Sequence, residues 1–136
     1  LTFENTTTLT GNIEIICGGT ITVTGGSRLG TNASQLDQSV IMYSDSGLVI
    51  NNGTIYGLTI NKESTISVTN TSAVNGGVIN FSSGISINQS QVTGSVVALA
   101  ALTVSNSTLS KGSLPPIFGK DYGFNPMVIP GSYLEY

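Results

Sequence analysis

The 136-residue chain contains no histidine, no tryptophan and a single cysteine, Cys17. Without histidine it lacks the commonest general base and the commonest metal ligand of proteins. A Ser–His–Asp or Cys–His catalytic arrangement is therefore excluded, and only a serine–lysine variant stays open. Because Cys17 has no partner for an internal disulfide and follows two isoleucines, we expect a buried, unreactive thiol.

Charge is also scarce, and what there is does not cluster. Charged residues make up 8% of the chain, and the formal net charge is −3. A surface that binds nucleic acid needs clustered cations to displace the counterions of the phosphates. The four cationic residues are scattered, which excludes nucleic acid as a partner: Arg28, Lys62, Lys111 and Lys120.

Aliphatic residues, in contrast, recur at a regular spacing of 17 to 19 residues. The first column consists of the pairs Leu48/Ile50, Ile66/Val68, Ile85/Ile87 and Leu102/Val104. The second column is Ile55, Val74, Val92 and Leu109, and the third is Ile41, Ile60, Ile79 and Val97. Each alternating run of β-branched residues predicts a short strand with one buried side. Stacking such strands coil upon coil, about 4.8 Å apart, would fill the interior with these columns.

The pattern therefore predicts an all-β fold, a single-stranded right-handed parallel β-helix of about five coils with about 18 residues each. Glycines at 57, 76 and 94 follow the second column and are interpreted as corners. Asparagine amides at another corner would adopt left-handed backbone and stack as a ladder along the axis. The predicted ladder residues are Asn52, Asn70, Asn88 and Asn106.

We expect one domain with three parts. Residues 1–12 would form an N-terminal cap, and residues 13–110 the coils, with an inserted loop at 24–38. Residues 111–136 contain all four prolines and break the repeat, so they are interpreted as a cap over the last coil or a strap along one face. Long loops of repeat proteins often bind partners, although a plain surface excursion is the simpler interpretation. The candidate binding residues are Arg28 of the loop and Tyr122, Phe124 and Tyr133 of the tail.

The sequence offers little catalytic chemistry. Glycoside hydrolysis needs two carboxylates about 5 to 9.5 Å apart, which on a solenoid would come from adjacent coils. Asp45 and Glu63 are 18 residues apart and have Lys62 beside them. They could bind a cation or act as an acid/base pair, but two solvated turn residues is the favoured interpretation. We therefore predict no enzyme activity, no cofactor and no metal.

Two segments resemble a known family. Residues 41–57, Ile-Met-Tyr-Ser-Asp-Ser-Gly-Leu-Val-Ile-Asn-Asn-Gly-Thr-Ile-Tyr-Gly, are similar to the core of β-helical ectodomains in PilX-like, pilin-related proteins of type IV pilus and type II secretion systems. Residues 128–135 are similar to the proline-containing closing strand of these proteins. The resemblance implies other pilus or secretion subunits as partners. It also implies contact with a membrane only through an N-terminal helix, and the start at Leu1 rather than Met leads us to expect that a preceding segment was removed.

The predicted function is a non-catalytic structural or adhesive domain at the surface of a bacterial cell or outside it, with surface glycans as a further partner class. Two alternatives stay open. One is a carbohydrate-binding or carbohydrate-active β-helix like those of tailspikes and lyases. The other is a polymer-forming β-helix like the bactofilins, against which the inserted loop and the proline-containing tail argue.

Overall fold

The computed structural model describes residues 1–112, which form a parallel β-solenoid of six coils. A six-stranded sheet, here called the first face, contributes one strand to every coil. Its strands are β1 (Thr2–Phe3), β4 (Thr20–Thr24), β7 (Gly47–Asn51), β9 (Ile66–Thr69), β11 (Ile85–Asn88) and β13 (Leu102–Ser105). The parallel solenoid predicted from the repeat is confirmed, with six coils instead of about five. The right-handed winding stays a prediction.

The other strands form an eight-stranded sheet with two halves, called the second and third faces. The second face contains β2 (Thr8–Leu9), β5 (Arg28–Leu29) and β14 (Thr108–Ser110), and the third face contains β3 (Ile13–Cys17) and β6 (Val40–Ser44). Three longer strands cross both halves: β8 (Thr54–Asn61), β10 (Ala73–Asn80) and β12 (Gln91–Ala98). The described part of the chain has one short helix, the 3-10 turn Leu36–Gln38, and none long and apolar enough to cross a membrane.

Aliphatic side chains fill the interior, stacked in register from coil to coil. The first predicted column is confirmed, since its members on β7, β9 and β11 are paired neighbours and fully buried. The second is also confirmed, because Ile55, Val74 and Val92 are paired and at most 1% exposed. Burying each such side chain stabilises the fold by about 1.5–3 kcal/mol. On the sixth coil, the last that the structure describes, Leu102, Val104 and Leu109 are 40–45% exposed.

The third predicted column was wrong. Ile60, Ile79 and Val97 are in register, but they lie on the outer surface of the third face. The buried residues of β10 and β12 at this level are their sequence neighbours, Val78 and, less completely, Val96. Ile41 pairs with Leu58, and these two buried residues form a small second cluster against which Ile60 and Ile79 pack. In these strands aliphatic residues occur at consecutive positions, so both sides of the strand are apolar in sequence. The sequence pattern therefore did not reveal which side faces inwards.

The predicted glycine corner is where the long strands pass from the second face to the third. Gly57, Gly76 and Gly94 stack in register, and φ is +133° at Gly76. A Cβ atom on Gly76 would lie 1.9 Å from the carbonyl oxygen of Gly57. Only glycine fits there, because a side chain would collide with the backbone of the neighbouring coil.

Two predicted boundaries are corrected. Residues 1–12 are not a separate cap, since β1 and β2 pair in parallel with β4 and β5 as the first two sides of the first coil. The inserted loop is shorter than 24–38, because Arg28 and Leu29 form a strand in the second coil and Leu29 is fully buried. The excursion that leaves the coil is residues 30–39, between β5 and β6. The expected cap or strap at 111–136 lies almost wholly outside the described residues.

The predicted asparagine ladder does not form as one column. Asn52, Asn70 and Asn106 do adopt left-handed backbone, with φ between 49° and 56°, but in the fifth coil Gln89 has that conformation. Asn88 pairs instead with Thr69, one position earlier in the register. The amide contacts are isolated: Asn70 Nδ2 donates to Asn51 Oδ1 at 2.8 Å, and Ser105 Oγ donates to Asn88 Oδ1 at 3.0 Å.

A buried pair of asparagines, Asn61 and Asn80, closes the corner between the third and first faces. The amide nitrogen of Asn80 donates to the carbonyl oxygens of Ser64 at 2.7 Å and Gly84 at 3.0 Å. Its amide oxygen accepts from two backbone N–H groups of the turn. Buried polar groups must be satisfied in this way, and the amides thereby fix the turn. Sequence analysis missed this pair, although the two residues are 19 apart.

Candidate functional site: a polar groove on the second face

A shallow groove of about 240 Å³ lies where the excursion at residues 30–39 passes over the outer surface of the second face. One wall is formed by the excursion, and the other by outward side chains of β8, β10 and β12. Tyr56, Asn75 and Thr93 occupy equivalent positions on three successive coils and therefore form one column. The lining residues are Thr31, Asn32, Ala33, Ser34, Tyr56, Asn75, Gly76 and Thr93.

The loop wall is held in shape by its own hydrogen bonds. The backbone N–H of Thr31 donates to the carbonyl of Gln38 at 2.8 Å, which closes the excursion at its base. The side-chain oxygen of Asn32 accepts from both the backbone N–H and the hydroxyl of Ser34, at 2.9 and 2.7 Å. Asparagine and serine form such local turns readily, so the loop wall needs no apolar core of its own.

Arg28, one of the candidate binding residues proposed from the sequence, contacts Tyr56, which lines the groove. Its guanidinium carbon is 4.8 Å from the centre of the Tyr56 ring, within the range of a cation–π contact. At an exposed site such a contact contributes roughly 0.5–1 kcal/mol. The contact places the cation of β5 next to an aromatic ring of β8.

The groove combines an aromatic ring, amides and hydroxyls with no carboxylate among its lining residues. Amides and hydroxyls both donate and accept hydrogen bonds, and an aromatic face packs against apolar patches of a ligand. An uncharged polar ligand that has hydroxyl groups along an apolar frame, such as a saccharide, fits this set. The lining side chains can donate and accept hydrogen bonds, and they include no nucleophile–base pair.

Asp45 and Glu63, left open from the sequence, are engaged with other side chains. Glu63 Oε1 lies 3.2 Å from Lys62 Nζ in an exposed ion pair, and this hydrogen bond raises the pKa of Lys62. Asp45 accepts a hydrogen bond from the hydroxyl of Tyr43, and partial burial together with Asp45 raises the pKa of Tyr43. These contacts agree with the interpretation of Asp45 and Glu63 as turn residues at one corner of the solenoid. Among residues 1–112 no three histidine, cysteine, aspartate or glutamate side chains come together in a metal-ligating cluster.

Of the four binding residues proposed from the sequence, Arg28 contacts a residue that lines the groove, and its role in binding stays a prediction. Tyr122, Phe124 and Tyr133 lie outside the described residues. The sequence analysis missed Tyr56, Asn75 and Thr93, although a signal was present. They follow the members of the second aliphatic column by one residue, so alternation alone places them on the outer surface of that face.

Known proteins add no further information about this site. Comparison with protein-family models, with curated proteins and with solved structures finds no match to this chain. The fold assignment therefore depends on the strand register, and the candidate site on the groove itself.

Proposed function

We propose that this chain is a non-catalytic structural and adhesive module. The observation that carries the proposal is the coil register, which turns the outer surface of the first face into a repeated array. In its most regular column, every coil from the second to the sixth contributes one hydroxyl or amide: Thr24, Asn51, Thr69, Asn88 and Ser105. Because each inner coil is bonded to two neighbours, such a stack is stiff, which suits a spacer that displays a surface.

The proposed setting is the surface of a bacterial cell, as part of a pilus- or secretion-related protein. What supports this setting is the resemblance of residues 41–57 and 128–135 to pilin-related ectodomains. The proposed partners are other subunits of the same assembly. The experiment for this part is intact-mass and N-terminal analysis of the protein isolated from its native source. An apolar helix of roughly 20 residues directly upstream of Leu1 supports a pilus-type anchor, and a cleaved signal peptide contradicts it.

A second candidate function, carbohydrate binding, is favoured by the groove on the second face. Its amides, hydroxyls and aromatic ring match the hydrogen-bonding groups and apolar patches of a neutral saccharide. Because β8, β10 and β12 supply one column, an extended polymer could contact three coils at once. This candidate is compatible with the first, since an adhesive module needs a ligand.

The experiment that tests the functional proposal exposes the chain to a panel of polysaccharides and measures binding, product release and self-association. Binding without release of reducing ends or unsaturated products supports an adhesive module. Measurable turnover contradicts it and favours the carbohydrate-active alternative. Filaments in electron micrographs of the purified chain would instead favour a polymer-forming protein.

The carbohydrate candidate has its own variant pair. Replacing Tyr56→Ala removes the aromatic face, and we expect saccharide affinity to fall roughly five- to tenfold. Tyr43→Ala is the matched control, because it removes the same side chain from the outer surface of a different face. Equal losses of saccharide affinity in the two variants would contradict the assignment of the groove as the binding site.

A further inference from the structure

A second groove follows the turns between the first and second faces on the last three described coils. It is here called the corner groove, and the groove beside the excursion is called the loop groove. The corner groove has a volume of about 530 Å³ and shares no lining residue with the loop groove. Its lining is uncharged and, apart from one alanine, polar. It includes Thr71, Ala73, Gln89, Gln91, Asn106 and Thr108.

Buried serines give the corner groove a fixed floor. Ser72 is 1% exposed, and its hydroxyl oxygen accepts from the backbone N–H of Gly53 at 3.2 Å. One coil further on, Ser90 is 4% exposed, and its hydroxyl donates to the carbonyl oxygen of Asn88 at 2.9 Å. Because these hydroxyls already close the turns, the shape of the groove is set before a ligand binds, which lowers the cost of binding.

The outward side chains of the corner groove keep their hydrogen-bonding groups for other partners. Within residues 1–112, the side-chain amides of Gln89, Gln91 and Asn106 make no hydrogen bond to another residue. The same holds for the amide of Asn75 in the loop groove. Each amide both donates and accepts hydrogen bonds, as the hydroxyl groups of a sugar do. Both grooves therefore present the same kind of chemistry to a ligand.

The two grooves are continuous along β10 and β12. On β10, Ala73 lines the corner groove, and Asn75, two positions further on, lines the loop groove. On β12, Gln91 and Thr93 are arranged in the same way, paired with those residues. The residue between each pair belongs to the second aliphatic column and points into the core, so no side chain separates the grooves. Two strand residues span about 6.6 Å, so a ligand longer than one sugar ring reaches both.

We propose that the two grooves form one site for a linear, uncharged polysaccharide that lies along β10 and β12. The chain passes from the Tyr56 ring in the loop groove to Gln91 and Thr108 in the corner groove. This inference rests on the carbohydrate-binding candidate and extends it to a second groove and to a minimum ligand length. The lining of both grooves favours neutral sugars, because a charged group would lose water there without gaining an opposite charge.

An extended peptide is the competing ligand, and the sheet argues against it. Peptides that bind as strands pair with the free edge of a sheet. Here β10 is paired with both β8 and β12, and β12 is paired with both β10 and β14. The backbone groups of both strands are therefore occupied. Side chains alone are left for recognition, which suits the hydroxyl groups of a sugar.

The test is isothermal titration calorimetry of the full chain with neutral oligosaccharides of increasing length. The probes are the cello-, xylo- and manno-oligosaccharides, from disaccharide to hexasaccharide. In the series that binds, we expect affinity to rise at least tenfold from the disaccharide to the hexasaccharide, because only the longer ligand occupies both grooves.

Variants assign this gain to the corner groove. Gln91→Ala and Thr108→Val should each weaken hexasaccharide binding roughly three- to tenfold and leave disaccharide binding unchanged. Tyr56→Ala should weaken the binding of both ligands. Ser82→Ala is the matched control, because it removes an exposed side chain at the corner between the third and first faces, away from both grooves. This control should bind both ligands as the parent chain does.

Three outcomes overturn the proposal. Binding that Tyr56→Ala weakens, but that neither ligand length nor Gln91→Ala changes, would keep the carbohydrate function and remove the corner groove from it. A complete absence of oligosaccharide binding would contradict the carbohydrate function as well. Binding of an extended peptide rich in serine and threonine, weakened by Gln91→Ala while no oligosaccharide binds, would make a peptide the ligand.

Discussion

The first and third faces are built alike on the inside and differently on the outside. In both, parallel strands stack aliphatic side chains into a shared core. Outside, the first face carries mainly hydroxyls and amides, whereas the third carries an apolar stripe of outward side chains paired coil to coil: Ile16, Tyr43, Ile60, Ile79 and Val97. The inner columns also differ, because the third face begins with stacked glycines and ends with buried polar residues, Ser44, Asn61 and Asn80.

The difference shows that one repeat period can serve two kinds of surface. An inner column must be apolar, since it is removed from water in every coil. An outer column is free to be polar or apolar, and its character reflects what it contacts. The outer surface of the first face is suited to water or to polar ligands, whereas the outer surface of the third face offers apolar contacts.

The largest expected effect concerns the stacked glycines at the corner between the second and third faces, which have no counterpart among the aliphatic inner columns of the first face. Gly76→Ala combines backbone strain with a collision against the carbonyl of Gly57, and we expect a loss of roughly 2–6 kcal/mol in unfolding free energy or failure to fold. Urea denaturation measures it. Gly18→Ala is the control, because the nearest atom to its added Cβ is at an ordinary 3.8 Å. Similar stabilities for both variants would show that the corner can relax.

The next prediction compares the same residue type inside and outside. Ile87→Ala empties a fully buried site on the first face and should cost about 2–5 kcal/mol in unfolding free energy. Ile79→Ala, on the outer stripe, removes a half-buried side chain and should cost about 1 kcal/mol. Thermal and urea unfolding of both variants gives the difference. Equal losses would mean that the outer column is part of the core.

A third comparison separates the buried asparagine pair from the exposed turn column. Asn80→Ala leaves buried backbone groups of the turn without partners, and we expect a loss of about 2–3 kcal/mol. Asn88→Ala removes one hydrogen bond from Ser105 near the surface and should cost about 0.5 kcal/mol. Denaturant midpoints measure both, and a reversed order would contradict the role assigned to Asn80.

The smallest expected effect concerns pH and the third face alone. The pKa of Tyr43 is raised, so the folded chain holds this proton more tightly than the unfolded chain does. Its contribution to stability is therefore complete below the ordinary pKa of 10.0 and is lost as the pH rises beyond it. Tyr43→Phe should flatten the fall in denaturant midpoint between about pH 9 and pH 11. Asp45→Asn should flatten it partly, and an unchanged slope in both variants would contradict the assignment.

How far the candidate site could be predicted differs from residue to residue. Arg28 was found because it is one of few charges in a segment without alternation. Tyr56, Asn75 and Thr93 were overlooked, because a groove exists only where the excursion passes over them, and sequence spacing does not give the path of a loop. Asn61 and Asn80 look like surface residues by composition, yet the turn they close buries them completely.

The sequence by itself determined the repeat, the parallel stacking and the first two core columns, because alternation and a recurring period follow directly from burial of one strand face. It also determined the glycine corner, where no other residue fits. Only the tertiary structure decided which side of the third face points inwards. There consecutive residues are both aliphatic, as in Val78–Ile79 and Val96–Val97. Because neighbouring residues of a strand point to opposite sides, a shift of one residue would exchange the inner and outer sides. The register against the neighbouring coils made that choice, and with it the stripe.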